Sequence, residues 1–137
     1  MKGGVFKMIK YHRDKKVDYN RLIDLFNQVG WRDKTNDRDR LKAMVDNSQI
    51  VVTAWDEDVM VGSARCTTDY VFNGQINNVV VDAEYRRKGI EKALINKILE
   101  HSNQVTYMLR GDTRNEGFYR RLGFEDGSIA LVYKRQG

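Results

Sequence analysis

The sequence predicts an α/β domain in which a mixed β-sheet carries helices on both faces. Two observations predict this class. Three β-prone segments follow one another closely between residues 50 and 81, and a strand–helix–strand unit comes after them. Closely spaced strands pair as antiparallel neighbours, whereas a strand–helix–strand crossover makes its two strands parallel. The full predicted order is β-α-α-β-β-β-α-β-α-β-β.

The N-terminal part of the chain predicts one strand and two helices. Residues Val5–Tyr11 roughly alternate apolar and polar side chains, which is typical of a strand. Apolar residues then recur at helical spacing from Asp18, a good N-cap residue, until Gly30 ends the run. A second helix is predicted over Asp37–Asn47, with its apolar side chains on one face.

The middle of the chain predicts a hairpin and a third neighbouring strand. The β-prone runs Ile50–Trp55 and Val59–Thr67 flank the polar turn Asp56-Glu57-Asp58. A break at Asn73-Gly74 then precedes a strand over Gln75–Val81.

The C-terminal part predicts the crossover and the end of the sheet. An amphipathic helix begins at Ile90, and the next strand covers Gln104–Leu109. A short helix is predicted over Asn115–Leu122. Two final strands are expected near Phe124–Glu125 and over Ile129–Lys134.

Length and composition indicate one ordinary globular domain over residues 1–137. No apolar run approaches the roughly 20 residues that span a bilayer, so we expect no membrane partner. The first residues lack the apolar core of a signal peptide, and Cys66 is the one cysteine; both favour a reducing, cytoplasmic location. One cysteine and two scattered histidines argue against a metal site, and Cys66 is expected as a buried strand residue.

The formal net charge of +5 favours an anionic partner, either nucleic acid or a polyphosphate cofactor. The basic residues Arg86-Arg87-Lys88 stand between a predicted strand and a predicted helix, next to Gly89. The first amides of a helix have no internal acceptors and carry partial positive charge, and glycine lets an anion approach the backbone. This connection therefore predicts a phosphate site, and no nucleic-acid partner is expected because the chain lacks a helix-turn-helix or RNP-like pattern.

Two segments resemble motifs of the GNAT superfamily of N-acetyltransferases. Residues 79–90, VVVDAEYRRKGI, resemble motif A, whose signature is Gln/Arg-x-x-Gly-x-Gly/Ala. Residues 115–124, NEGFYRRLGF, resemble motif B, in which a Phe-Tyr pair precedes Gly-Phe. The motifs lie in the family's order with a predicted strand between them, and the predicted elements match the family's splayed sheet from end to end.

The resemblance implies an acetyl-CoA-dependent N-acetyltransferase in which a primary amine attacks the thioester directly. The amine belongs to a small molecule or a peptide, and this fold often forms homodimers. The pantetheine arm of the cosubstrate would lie along the motif A strand, and its diphosphate on the start of the following helix. The cofactor-binding residues implied are Val79, Val80, Val81, Arg86, Arg87, Lys88, Gly89, Ile90, Glu91 and Lys92. Tyr119 is the implied catalytic residue, as proton donor to the leaving thiolate.

Two residues depart from the family's pattern. Glu91 stands where the motif has Gly or Ala, and a carboxylate there adds bulk and like charge beside a diphosphate. Asn78 stands where many relatives carry an acid, and an amide cannot act as a base. The sequence therefore leaves an alternative open, a catalytically weak or silent CoA-binding regulatory module of the same fold.

Overall fold

A computed structural model describes residues 8–111 and 114–137. It contains a five-stranded sheet in the order β1-β2-β3-β4-β5, antiparallel except for the last pair. The strands are β1 Lys10–His12, β2 Ile50–Asp56, β3 Val59–Thr68, β4 Asn73–Val81 and β5 Thr106–Met108. The helices are α1 Tyr19–Gln28, α2 Arg32–Thr35, α3 Arg38–Asp46, α4 Ile90–Leu99 and α5 Glu116–Arg121. The predicted mixed sheet is confirmed.

Two apolar layers place helices on both faces of the sheet. One layer joins α1 and α3 to the sheet through Leu25, Phe26 and Leu41. The other joins α4 and α5 to the opposite face through Leu94, Ile98 and Tyr119. Burying these side chains is the main stabilising term of such a domain, at about 25 cal/mol per Å² of apolar surface.

The first two long helices begin where the sequence predicts. The Asp18 carboxylate accepts a hydrogen bond from the Arg21 amide at 3.1 Å, and that of Asp37 accepts one from the Arg40 amide at 3.1 Å. Each bond satisfies one amide that the helix itself leaves unpaired. The charged stretch after α1 was not predicted to be regular, yet it forms the short helix α2.

Several predicted strand limits are wrong. The turn expected at Asn73-Gly74 lies earlier, because the Asp69 carboxylate accepts hydrogen bonds from the amides of Val71, Phe72 and Asn73 and so closes the turn there. Gly74 is consequently inside β4, where a side chain would come within 2.9 Å of the Tyr107 ring. The strand predicted over residues 104–109 shortens to β5, and only residues 10–12 of the described chain form the first strand; residues 5–7 lie outside the described part.

The two strands predicted near Phe124–Glu125 and over Ile129–Lys134 are also wrong, since residues 124–137 have no regular secondary structure. The alternation of Ile129, Leu131 and Tyr133 has the β-propensity of a strand, but a strand also needs a neighbouring edge to pair with. The neighbour available, β5, is three residues long, and these side chains are 90%, 94% and 89% exposed.

A partly buried ion pair holds α1 to the end of β4. Arg21 donates to the Asp82 carboxylate at 2.6 Å and to the Met60 carbonyl at 2.9 Å. Asp82 also accepts from the Glu84 amide at 3.0 Å, which starts the 3₁₀ turn Ala83–Tyr85. These contacts fix the direction in which the chain leaves the sheet after Val81.

We expect Asp82→Asn to lower the free energy of unfolding by about 1–3 kcal/mol, as for a hydrogen-bonded charge that loses its partner. Burial alone would raise the pKa of Asp82, but the Glu84 amide and the Arg21 guanidinium together lower it. A carboxyl whose pKa is lowered by folding stabilises the protein above its unfolded pKa and loses that effect as pH falls. Urea unfolding gives the difference in free energy of unfolding between wild type and Asp82→Asn. This difference should therefore be smaller at about pH 3 than at pH 7. The matched variant Asp46→Asn, in the exposed Lys42–Asp46 pair, should change little, and an equal loss there would contradict the assignment.

Candidate active site

The sheet opens along β4. The parallel ladder to β5 consists of three pairs, Asn73 with Thr106, Gly74 with Tyr107 and Gln75 with Met108. In the described part of the chain, residues 76–81 of β4 have no strand on that side. Backbone groups along an unpaired edge are available to a ligand that binds as an added strand. The candidate site is this crevice between β4 and β5.

A β-bulge lies in β4 where the crevice begins. Ser63 of β3 pairs with Val80 and Arg65 pairs with Asn77, so β4 contains one more residue than β3 over this stretch. Asn78 takes a left-handed backbone conformation, with φ +50°, within the bulge. Bulges bend a strand and increase its twist, so this one turns β4 just before Val81.

The connection from β4 to α4 forms a concave, positively charged turn. Arg87 and Gly89 both have left-handed backbones, with φ +63° and +80°, and Gly89 is the N-cap of α4. A Cβ built on Gly89 would meet nothing within 4 Å, so the backbone is uncovered on that side of the turn. The side chains of Arg86, Arg87 and Lys88 are exposed around this turn. Such a turn at a helix N-terminus suits a phosphate group.

The predicted cofactor-binding residues all lie between β4 and the first turn of α4, but they differ in how exposed they are. Val80 and Val81 are buried and Val79 is half-buried. Ile90 is a core residue, 2% exposed, so its backbone is the part that faces the turn. Lys92 is exposed on α4.

The structure brings Tyr119 to the start of α4 from a distant part of the sequence. Its ring is buried in edge-to-face contact with Phe118 and Phe124, which fixes its orientation. Its hydroxyl donates to a carboxylate oxygen of Glu91 over 3.4 Å, a long hydrogen bond. Tyr119 therefore lies beside the first turn of α4, and its role as proton donor stays a prediction.

Glu91 is half-buried and points toward Tyr119, in the first turn of the helix whose amides face the crevice. Burial raises the pKa of Glu91, and the Tyr119 hydroxyl and the positive charge of Arg86 only partly offset this. The carboxylate occupies the end of the helix that favours negative charge, so it competes there with any anion from outside.

A cavity of about 1240 Å³ borders the crevice where β4 and β5 pair. Its lining includes Gln75 of β4, all of β5, Tyr119 of α5 and most of the segment from Leu122 to Val132, but none of the predicted cofactor-binding residues. The cavity therefore adjoins the β5 side of the crevice, whereas the predicted cofactor-binding residues lie on β4 and at the start of α4.

Sequence reasoning missed Arg65, which lies on β3 beside the bulge and donates to the Asn78 side chain at 2.9 Å. One signal was available in the sequence, because Arg65 is the one charged residue inside the otherwise uncharged run Val59–Thr67. The buried thiol expected for Cys66 is confirmed, and burial raises its pKa to about 11.

An open crevice beside a parallel strand pair, ending at a basic helix N-terminus, defines an α/β domain that binds a phosphate-bearing ligand. The sequence model of the acetyltransferase (GNAT) family matches residues 16–124. The chain therefore belongs to this family, whose acetyltransferases use acetyl-CoA as cosubstrate. Apart from the side chain of Glu91, the turn around Gly89 fits the diphosphate of that molecule.

Curated relatives match most of this chain. Histone acetyltransferase TAP1 of Glycine max is 32% identical over 136 residues, covering 89% of this chain and 58% of that protein. The chloroplastic GCN5-related N-acetyltransferase 2 of Arabidopsis thaliana is 28% identical over 148 residues, covering 91% of this chain and 57% of that protein. The chain thus spans less than two thirds of the length of these two relatives.

Solved structures share the fold. A GNAT family acetyltransferase from Streptococcus pneumoniae TIGR4 is 26% identical, with a TM-score of 0.75, 94% coverage of this chain and 100% of that one. A protein from Xanthomonas campestris described as belonging to the GNAT family is 21% identical, with a TM-score of 0.80 and coverage of 95% and 96%. The second likeness concerns the fold alone.

We expect Glu91→Gln to tighten CoA binding by about tenfold, because it removes a negative charge beside the diphosphate. Burial raises the pKa of Glu91, so part of its charge is absent in mild acid; wild-type affinity should fall as pH rises and this carboxyl ionises and repels the ligand. Isothermal titration calorimetry at a series of pH values measures both effects.

The titration of the ligand's own phosphates is common to wild type and variant, so their difference isolates Glu91. Glu100→Gln, at the far end of the same helix, is the matched control and should bind like wild type. Equal pH profiles for wild type and Glu91→Gln would contradict a role of Glu91 in the phosphate site.

Proposed function

We propose that this protein transfers an acetyl group from acetyl-CoA to a primary amine by direct attack on the thioester. One observation carries the proposal: the unpaired edge of β4 runs into the left-handed turn at Gly89 and the N-terminus of α4. Acetyl-CoA supplies an activated acyl group, and the protein supplies binding, orientation and a proton donor. Family membership supports the same activity.

In this proposal the edge of Val79, Val80 and Val81 binds the pantetheine arm as a neighbouring strand would. The exposed side chains of Arg86, Arg87 and Lys88 neutralise the diphosphate, and the amides after Gly89 donate to it. A backbone amide near Val80 polarises the thioester carbonyl, in the manner of an oxyanion hole.

Tyr119 is proposed as the acid that protonates the departing thiolate. A phenol has a pKa near 10, close enough to that of a thiol for efficient proton transfer. Two structural features support this role: α5 holds the ring rigidly, and the hydroxyl lies within 3.4 Å of a residue in the first turn of α4.

The acceptor amine belongs to a small molecule or a peptide. The Glycine max relative is named as a histone acetyltransferase, and that acceptor is stated for that protein alone. The cytoplasmic location stays a prediction, and a relative from Arabidopsis is named as chloroplastic. Of the helices in the described ranges, none has the length and apolar character needed to cross a bilayer. Homodimer formation and the lack of a nucleic-acid partner also stay predictions.

The alternative is a CoA-binding module with little or no turnover. Two observations favour it: the Glu91 carboxylate lies against Tyr119, and Asn78 offers no basic group. Thermal-shift measurements with acetyl-CoA, CoA and a short DNA duplex, together with thiol release over an amine panel, separate the two. Stabilisation by CoA without release of thiol supports the module, stabilisation with release supports the enzyme, and a response to DNA alone overturns both.

We expect Tyr119→Phe to lower kcat by about a hundredfold, because it removes the proton donor, and to change the Kd for CoA far less, because the hydrogen bond to Glu91 that it also removes is long. Steady-state thiol release gives kcat, and calorimetry gives the Kd. Tyr133→Phe makes the same change at a side chain that is 89% exposed and should keep wild-type kcat. An unchanged kcat in Tyr119→Phe would remove the acid role.

A further inference from the structure

Arg65 is a half-buried cation whose described partners are all neutral. Its Nε donates to Oδ1 of Asn78 at 2.9 Å, and an Nη lies 3.4 Å from the hydroxyl of Ser48. Within residues 8–111 and 114–137, no carboxylate lies within ion-pair distance of it. The contrast is Arg21, also half-buried, which Asp82 neutralises at 2.6 Å.

The positive charge of Arg65 is consequently uncompensated. Burial lowers its pKa, but an arginine side chain stays protonated at neutral pH. The adjacent Cys66 thiol is uncharged there, because burial raises its pKa to about 11. A charged group removed from water is costly unless an opposite charge or enough hydrogen bonds replace the water.

Arg65 contacts the bulge of β4 from the face of the sheet opposite α4. Its neighbour Ser48 follows Asn47, the C-cap of α3, and its pairing partner Val51 belongs to the apolar layer of α1 and α3. Its other neighbour, Asn78, forms the bulge that precedes the crevice strand. The helices α1 and α3 pack on this face, but Arg65 is only half-buried there, so its guanidinium can be reached from solvent by a second substrate.

We propose that Arg65 binds an anionic oxygen group, carboxylate or phosphate, on the acceptor amine, so that the enzyme prefers negatively charged acceptors. The inference rests on the proposed function. A planar guanidinium suits oxyanions because it donates two parallel hydrogen bonds to them. Asn78 and Ser48 orient the group while leaving its charge in place.

The geometry also limits the size of the acceptor. Two or three residues of β4 separate Asn78 from Val80 and Val81, a distance of about 7–10 Å at strand spacing. A hydrogen bond of about 3 Å at the guanidinium and an attack distance of about 3 Å at the thioester take up most of this distance. The anionic group and the amine are then only a few bonds apart, as in amino acids and small phosphorylated amines.

Matched pairs of acceptors test the proposal, with phosphoethanolamine against ethanolamine for phosphate and glycine against glycinamide for carboxylate. We expect at least one anionic member to have the higher kcat/KM by roughly ten- to a hundredfold, the effect of one charge-assisted hydrogen-bonded contact. Arg65→Gln should remove the preference for the anionic acceptor, mainly by raising its KM. Arg65→Lys should keep part of this preference. Which pair responds distinguishes phosphate from carboxylate.

Asn78→Asp tests the same charge without altering Arg65. Aspartate tolerates the left-handed backbone of this position, and its carboxylate would neutralise the guanidinium. The ratio of kcat/KM for the anionic acceptor to that for the uncharged acceptor should fall by about tenfold or more. Arg40→Gln removes an exposed arginine from α3 and should leave the ratio unchanged. This control separates a local contact from the effect of net charge.

The outcomes are distinct for the inference and for the function on which it rests. Turnover without a preference for either anionic member, or a preference that survives both Arg65→Gln and Asn78→Asp, overturns the inference alone. Absence of turnover with every amine counts against the proposed function. In that case thermal shift in the presence of saturating CoA still measures binding of the acceptor. Equal stabilisation of wild type and Arg65→Gln by phosphoethanolamine and glycine would then overturn the inference too.

Discussion

The incomplete pairing of β4 is the feature on which the rest of the site depends. Backbone amides and carbonyls need partners, and within the described residues β4 has a paired strand on both sides only at Gly74–Gln75. Beyond that point the bulge at Asn78 turns the strand, and no described strand covers the edge on the β5 side. Everything proposed for the cosubstrate follows from this opening, because an extended arm can supply the missing partners.

Charge compensation then decides what each basic residue can do. Arg21 is neutralised inside the protein by Asp82, so it fixes the chain's exit from β4 and is not available to a ligand. The connection around Gly89 is exposed and positive, but Glu91 in the first turn of α4 opposes part of that charge. Arg65 has neutral partners and keeps its full charge. The same residue type therefore has a structural role at Arg21, a proposed cosubstrate role before Gly89 and a proposed acceptor role at Arg65.

Much of the fold followed from local patterns, while the failures came from long-range pairing. The cap at Asp18 and the helical spacing of apolar residues after Asp18 and over Asp37–Asn47 predicted α1 and α3 within a residue or two, because these signals act within a turn or two of helix. The Asn73-Gly74 break was misplaced because the Asp69 carboxylate, four residues earlier, closes the turn. The strand predicted at Ile129–Lys134 failed because β-propensity does not supply a neighbouring edge.

The order of residues was enough to identify the basic connection before α4, since a strand, three cations, a glycine and a helix are consecutive in the chain. It was also enough to single out Tyr119 and the irregular Glu91 through their motifs. Three-dimensional folding alone brought Tyr119 against Glu91 and Arg65 against Asn78, 28 and 13 residues apart. Sequence patterns report interactions within a few residues, whereas burial, charge compensation and hydrogen bonding depend on which distant segments pack together.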